Sequence, residues 1–280
     1  MEPNEGGSVS APSRQPALTA PTWERAASAP TRQRAISARA TLATARRVLT
    51  QLRNDHRTVV LLLVAPCLLI TLFKYVFQNS PLVFDRVGLP MLGIFPMIAM
   101  FLVTVVAMVR ERTTGTLERL LTTPLGKLDL LLGYALAFGL AALVQASVAS
   151  ALALGVLGLE VQAGVGVVLA VAVANALLGM ALGLFLSAFA QTEFQAVQFM
   201  PAVLLPQLLL CGLLTPRDRM PDWLHAISDA LPLSYGVDAL VKAGATPGLP
   251  ATLLLDIAIV FGCVVAALTL GAATLRRRTA

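Results

Sequence analysis

An all-α membrane protein with six transmembrane helices is the fold class this sequence predicts, and three observations predict it. The 280 residues are 57% hydrophobic and only 13% charged, where a water-soluble domain carries about 25% charged residues. So little charge cannot cover the surface of a soluble domain this size, and it also excludes a disordered chain or a small disulfide scaffold. Second, the charges are separated by long gaps. None falls between Arg86 and Arg110, Asp129 and Glu160, Glu160 and Glu193, or Glu193 and Arg217, and each gap can hold the ~20 apolar residues that cross a bilayer as a helix. These runs are continuous rather than alternating, so helices are expected and barrel strands are not. Third, basic residues are unevenly shared between the two sides that such spans define.

Taken in order, residues 1–33 are rich in Ala, Pro, Ser, Thr and Gly and read as a disordered tail. Residues 34–56 read as a basic amphipathic helix. Leu42, Ala45, Leu49 and Leu52 make one stripe and Arg39, Arg46, Arg53 and Arg57 a neighbouring one, as expected of a helix lying on a membrane face with its arginines at the headgroups. A plain extension whose arginines only set topology is the alternative. Spans are expected at about 58–78, 88–109, 130–157, 164–190, 196–214 and 250–275. The first apolar run begins near residue 58, too deep for a cleavable signal peptide. With both termini on the cytoplasmic side, sixteen of the 21 Lys/Arg lie inside, and Lys74, Arg86, Arg217, Arg219 and Lys242 lie outside. Cys67, Cys211 and Cys263 all fall in apolar runs and read as small buried hydrophobes.

Spans 3 and 4 are joined by a short turn around Glu160, rich in glycine, and should form an antiparallel hairpin. Gly179-Met180-Ala181-Leu182-Gly183 in span 4 allows close approach of another helix. The segment 215–248 holds two short helical pieces, one opened by Pro221 and closed by Pro232, the other running from Leu233 to about Lys242. Trp223, Ile227, Ala230 and Leu231 share a face of the first piece. Two pieces of half a bilayer's length suggest a re-entrant or interfacial hairpin on the outer side, with a folded surface loop as the alternative.

The segment 110–129 carries the most chemistry. It reads Arg110-Glu111-Arg112-Thr113-Thr114-Gly115-Thr116-Leu117-Glu118-Arg119-Leu120-Leu121-Thr122-Thr123-Pro124-Leu125. Gly115 can end the helix of span 2, and Pro124 stops any helix begun after it. A helix of two turns between them shows Leu117, Leu120 and Leu121 on one face. Such a face fits either a groove on a cytoplasmic protein or the membrane surface. These residues, continuing through Gly126-Lys127-Leu128-Asp129 and Leu132-Gly133-Tyr134 to Gln145, resemble the signature of type-2 ABC exporter permeases. So do Met220-Pro221-Asp222-Trp223-Leu224, Leu231-Pro232-Leu233-Ser234-Tyr235 and Asp238-Ala239-Leu240. The resemblance covers roughly 34–280, and its general look is that of the bacterial drug-efflux branch typified by daunorubicin-resistance permeases. Tyr134 stands where the family often has Lys, and Leu231 where Asn often precedes the Pro.

The resemblance implies a division of labour. A separate cytoplasmic P-loop ATPase subunit binds ATP and Mg and hydrolyses the nucleotide. Helix 116–123 is the coupling helix seated on it, with Glu111, Arg112 and Gly115 at its approach and Thr116, Leu117, Glu118, Arg119, Leu120 and Leu121 in contact. A second permease, identical or a sister chain, completes the transporter, which sits in the bacterial plasma membrane among its lipids and takes no nucleic acid. Spans 2 and 5 face the dimer axis in the family, which makes Met97, Phe101, Gln198 and Gln207 pathway candidates; interhelical glue is the alternative for the glutamines. The outer hairpin is marked by Pro221, Trp223, Pro232 and Tyr235. No cofactor or metal is expected in this chain. Its nearest approach to a P-loop, Gly126-Lys127, has Leu121 in place of the first Gly and Leu128 in place of Ser/Thr.

Lys74 and Asp256 are the only charges inside apolar runs. Lys74 can snorkel, and Asp256 can pair with an outer-loop arginine, since a charge in hydrocarbon needs a partner. The function expected is ATP-driven export of a hydrophobic or amphipathic compound, a drug or a lipid, with lipid or polysaccharide export as the alternative within the family. An intramembrane enzyme needs a constellation that His56 and His225, on opposite sides in this topology, do not supply. An anchor that only recruits an ATPase would share the coupling helix and move nothing.

Overall fold

The computed structural model describes residues 37–115 and 127–274, all within one compact unit, Ile36–Ala280. The tail 1–33, the expected helix 116–123 and Arg276, Arg277 and Arg278 lie outside the described residues. Among the described residues nine α-helices succeed one another: α1 Ala38–Asn54, α2 His56–Val76, α3 Pro81–Thr113, α4 Lys127–Ser150, α5 Val165–Ser187, α6 Glu193–Leu210, α7 Asp222–Ala230, α8 Pro232–Ala245 and α9 Ala251–Thr274. A π-helical turn, Ala151–Val156, extends α4, and a 3-10 turn, Arg217–Arg219, precedes α7.

Five described stretches are long and apolar enough to cross a membrane: α2, most of α3, α4 with its π turn, α5 and α9. The remaining expected span, 196–214, is α6. It has 18 residues, ~27 Å at the α-helical rise, and its Glu193, Gln195, Gln198 and Gln207 dilute its apolar character. α6 is one continuous helix through Pro201 and Pro206. Both prolines lie on its exposed side.

The central pair is α3 and α5. Two thirds of the apolar window of α3 is buried in the bundle, 67%, against 17% for the peripheral α2. Gly179 and Gly183 make the pairing possible. A Cβ on Gly179 would fall inside contact distance of the Met97 carbonyl oxygen, and one on Gly183 would lie 2.8 Å from that of Phe101. The small-xxx-small pattern therefore has its partner inside the chain. Around this pair, α9 and α4 pack on α5, α6 and α2 on α3, and α8 fits between α3, α5 and α9. The turn between α4 and α5 is as short as expected, with Gly158 and Gly164 at φ +70° and +92°, and the Ala163 N–H donates to the Ala243 carbonyl of α8.

One expectation about α1 changes. Its buried face is Thr44, Ala45 and Val48, whereas Leu42 is 60% exposed. The reason is a notch in α4: a Cβ on Gly133 would stand 2.5 Å from Thr44 Cβ and 3.0 Å from the Thr41 carbonyl oxygen, so small side chains face the contact. The helix is thus strapped to α4 by protein packing. At its end Asp55 caps α2, Oδ1 accepting from the Thr58 N–H at 3.2 Å and Oδ2 from the Thr58 hydroxyl at 2.7 Å.

Candidate functional site

The last turn of α3 is where the chain concentrates its charge. Helix α3 stops at Thr113, and beyond it the Thr114 N–H donates to Arg110 O and the Gly115 N–H to Arg112 O. Gly115 then turns the chain at φ +70°, a left-handed conformation that glycine adopts without Cβ strain. From this turn, side-chain contacts reach three other helices directly and a fourth, α4, through Arg47. Arg110 makes a bidentate pair with Glu193 at the start of α6, Nε to Oε1 at 2.9 Å and Nη2 to Oε2 at 3.0 Å. Glu111 lies 3.4 Å from Nη2 of Arg47 on α1. The same guanidinium donates to the Tyr134 hydroxyl of α4 at 2.6 Å. Arg112 donates to the Ser187 carbonyl at the end of α5 at 2.5 Å, a favourable place for a cation because the last carbonyls of a helix carry its negative dipole end. On the other flank of 116–126, Asp129 of α4 accepts the Ser37 N–H at 2.8 Å, which fixes the start of α1 to the start of α4.

These contacts differ in strength. The Arg110–Glu193 pair is about half exposed on both sides, and such pairs contribute roughly 0–1 kcal/mol. Arg47 and Glu111 are more enclosed, with side-chain exposures of 29% and 13%, so removing either leaves a charge with little access to water. Of the approach residues expected from sequence, Glu111, Arg112 and Gly115 sit in this turn; Thr116, Leu117, Glu118, Arg119, Leu120 and Leu121 lie outside the described residues. Arg47, Tyr134, Ser187 and Glu193 were not expected here from sequence. One signal was present for Arg47. It lies on the Thr44–Val48 side of α1, and a charge next to a buried face needs a partner.

The four pathway candidates do not form one surface. Met97 and Phe101 are fully buried in the α3–α5 core, because the glycines of α5 bring its backbone onto them. Gln198 is exposed on α6 while Gln207 is buried, as nine residues of separation place them about half a turn apart on a helix. Gln207 Nε2 donates to the Val203 carbonyl at 3.3 Å, an internal bond of its own helix.

At the opposite end of α3 the hairpin α7–α8 is held by charge and hydroxyl contacts. Arg217 pairs with Asp229 and Asp238 and lies 5.3 Å over the Tyr235 ring. The Tyr235 hydroxyl donates to the Asp229 carbonyl at 2.9 Å, and Ser228 donates to the Leu210 carbonyl at 2.8 Å. Pro221 precedes α7 and Pro232 opens α8. Trp223 remains 67% exposed, with Ile227 beside it at 46%. Buried residues are concentrated instead in α8, where Asn175 of α5 donates to the Gly236 carbonyl at 3.4 Å. Asp256 pairs with Lys242 of α8 and not with an arginine, since Arg217 is already held by two aspartates. Lys74 lies 4.6 Å from the centre of the Phe84 ring, a cation–π contact.

Compared with known families, residues 39–243 match the ABC-2 type transporter family. This chain belongs to that family. The matched stretch runs from α1 through α8 and so contains both the charged turn and the hairpin. Among relatives, the chain is 28% identical over 138 residues to ABC transporter G family member 20 of Dictyostelium discoideum, covering 49% of this chain and 19% of that protein. It is 27% identical over 141 residues to the probable multidrug ABC transporter permease YbhR of Escherichia coli (strain K12), covering 50% and 38%. It is 29% identical over 132 residues to the inner membrane transport permease YhhJ of the same strain, covering 47% and 35%. The matches therefore span well under half the length of these relatives. The two bacterial relatives carry the names of transport permeases, not of enzymes, and family membership with five long apolar helices makes this chain a multi-pass membrane protein.

Proposed function

We propose that this chain is the six-span membrane permease subunit of an ATP-driven exporter, moving a hydrophobic or amphipathic compound out of the cytoplasm or inner leaflet. A separate P-loop ATPase binds ATP and Mg and seats on 116–123, and a second permease, identical or related, completes the pathway. Both termini lie inside, in a bacterial plasma membrane, and the hairpin α7–α8 lies outside. One observation carries the reading: the turn that leads into 116–126 is tied directly to α1, α5 and α6, and through Arg47 to α4. A push or pull on that segment reaches four helices through short, directional contacts. The multidrug name of one relative and the basic bias of the 34–127 side support the substrate class and the orientation.

The test is transport in vesicles holding this chain and its ATPase. Leu117→Asp and Glu118→Lys are expected to abolish ATP-dependent export while insertion and folding stay normal. Unchanged export in both variants overturns the coupling assignment. ATP hydrolysis by the unaltered complex without movement of any compound makes the chain a recruitment anchor and overturns transport.

A further inference from the structure

A cavity of about 550 Å³ lies beneath α1, enclosed by α1, α2, α3 and α4 and touched by α6 at Val197. That is the size range of pockets that bury one drug-sized molecule. Its lining is divided. Leu52, Leu102, Val103, Val106 and Phe138 form an apolar wall, while Asp55, Thr58, Arg110, Glu111 and Tyr134 form a polar rim. Exposed Leu61 and Val197 mark its open side.

The rim charges are unequal. Glu111 is matched by Arg47, and Arg110 is matched bidentately by Glu193. Asp55 makes no ion pair among the described residues; its two oxygens accept from the Thr58 N–H and hydroxyl. Those hydrogen bonds, with the charge of Arg110 as a lesser contribution, hold its carboxyl below the usual range, so it stays ionised near neutral pH. One carboxylate at the mouth of an apolar cavity is complementary to an ammonium group on an apolar body.

We propose that this cavity binds a compact cationic amphiphile, with Asp55 receiving the amine and the wall from Leu102 to Phe138 receiving the body. The inference rests on the exporter reading for its role, as the inner site where the compound is taken up, but the binding itself needs neither ATP nor ATPase. A matched probe pair tests it on the purified full-length chain in detergent: a dansyl-labelled alkylamine and its N-acetylated, uncharged form, followed by dansyl fluorescence. The unaltered chain is expected to bind the amine at least ten-fold more tightly than the acetylated form. Asp55→Asn keeps an N-cap residue and removes the charge, so it should erase the preference while still binding both probes. Val106→Trp should fill the cavity and weaken both; if it does not fold, Leu61→Trp at the open side reads the same effect. Retained preference in Asp55→Asn, or unaltered binding in a folded tryptophan variant, overturns the site. Displacement by phosphatidylethanolamine as potent as by the soluble amine overturns the assignment to a compact amphiphile and gives the cavity to lipid. A failure here leaves the coupling variants of 116–123 to decide the exporter reading separately.

Discussion

Arg47 of α1 and Glu111 of α3 lie 3.4 Å apart across 64 positions of sequence, with the Tyr134 hydroxyl on the same guanidinium at 2.6 Å. This triad joins the amphipathic helix, the central helix and α4 immediately before Gly115. Removing the guanidinium leaves Glu111 largely enclosed and unmatched. Arg47→Ala should destabilise the folded chain by about 1–3 kcal/mol, read as a lowered Tm in detergent. Arg47→Lys should recover only part of the loss, because one ammonium cannot bridge both partners with the same planar geometry. A Tm unchanged in Arg47→Ala would show that the triad does not hold α1.

The α3–α5 contact depends on the absence of a side chain. Gly179→Leu forces a side chain against the Met97 carbonyl, which no rotamer avoids because the obstacle is backbone. It should abolish accumulation of folded chain, measured by size-exclusion chromatography after membrane extraction. Gly166→Leu, with open space around its Cβ position, should be tolerated in the same assay.

Asp55 caps α2, and its carboxyl is lowered chiefly by the Thr58 hydroxyl and N–H. A folded-state pKa below the unfolded one means the stabilisation is present above the unfolded value of about 4 and is lost as pH falls through the folded value. Asp55→Ala should cost about 1 kcal/mol near neutral pH, a typical loss for an N-cap. The difference in Tm between it and the unaltered chain should narrow below about pH 4. An Asp55→Ala effect that grows on acidification would contradict the sign.

Lys242 of α8 and Asp256 of α9 tie the hairpin to the last helix, with side-chain exposures of 34% and 8%. Lys242→Met leaves the more buried partner unmatched and should cost about 1–3 kcal/mol. The double variant Lys242→Met with Asp256→Leu should be more stable than Lys242→Met alone, because no charge is then left without a partner. Equal stability of the single and double variants would mean that Asp256 is satisfied some other way.

Much of the fold was legible in the order of residues because a bilayer imposes a simple rule. Apolar runs of sufficient length, bounded by charge, must become helices. The ends of α2, α5 and α9 fall within two or three residues of those expected; the first hairpin piece lies between Pro221 and Pro232, and the second begins at Pro232 and runs to Ala245, three residues past the expected Lys242. Less of the site was legible. Glu111, Arg112 and Gly115 could be picked out by motif, but their partners Arg47, Tyr134, Ser187 and Glu193 are scattered over four helices. The separation of Met97 and Phe101 from Gln198 and Gln207 was hidden for the same reason: a helical wheel says which residues share a face, and not which neighbour covers it.

The sequence by itself determined which stretches become helices, which ends carry the charge, and where glycine and proline stop or turn the chain, because these follow from local hydropathy and backbone sterics. Only the tertiary structure decided that Gly179 and Gly183 seat α3, that Gly133 straps α1 to α4, that Asp256 meets Lys242, and that Arg47 reaches Glu111. Those outcomes depend on backbone approach distances of a few ångströms between segments far apart in the chain, and such distances are set by the packing of the whole bundle.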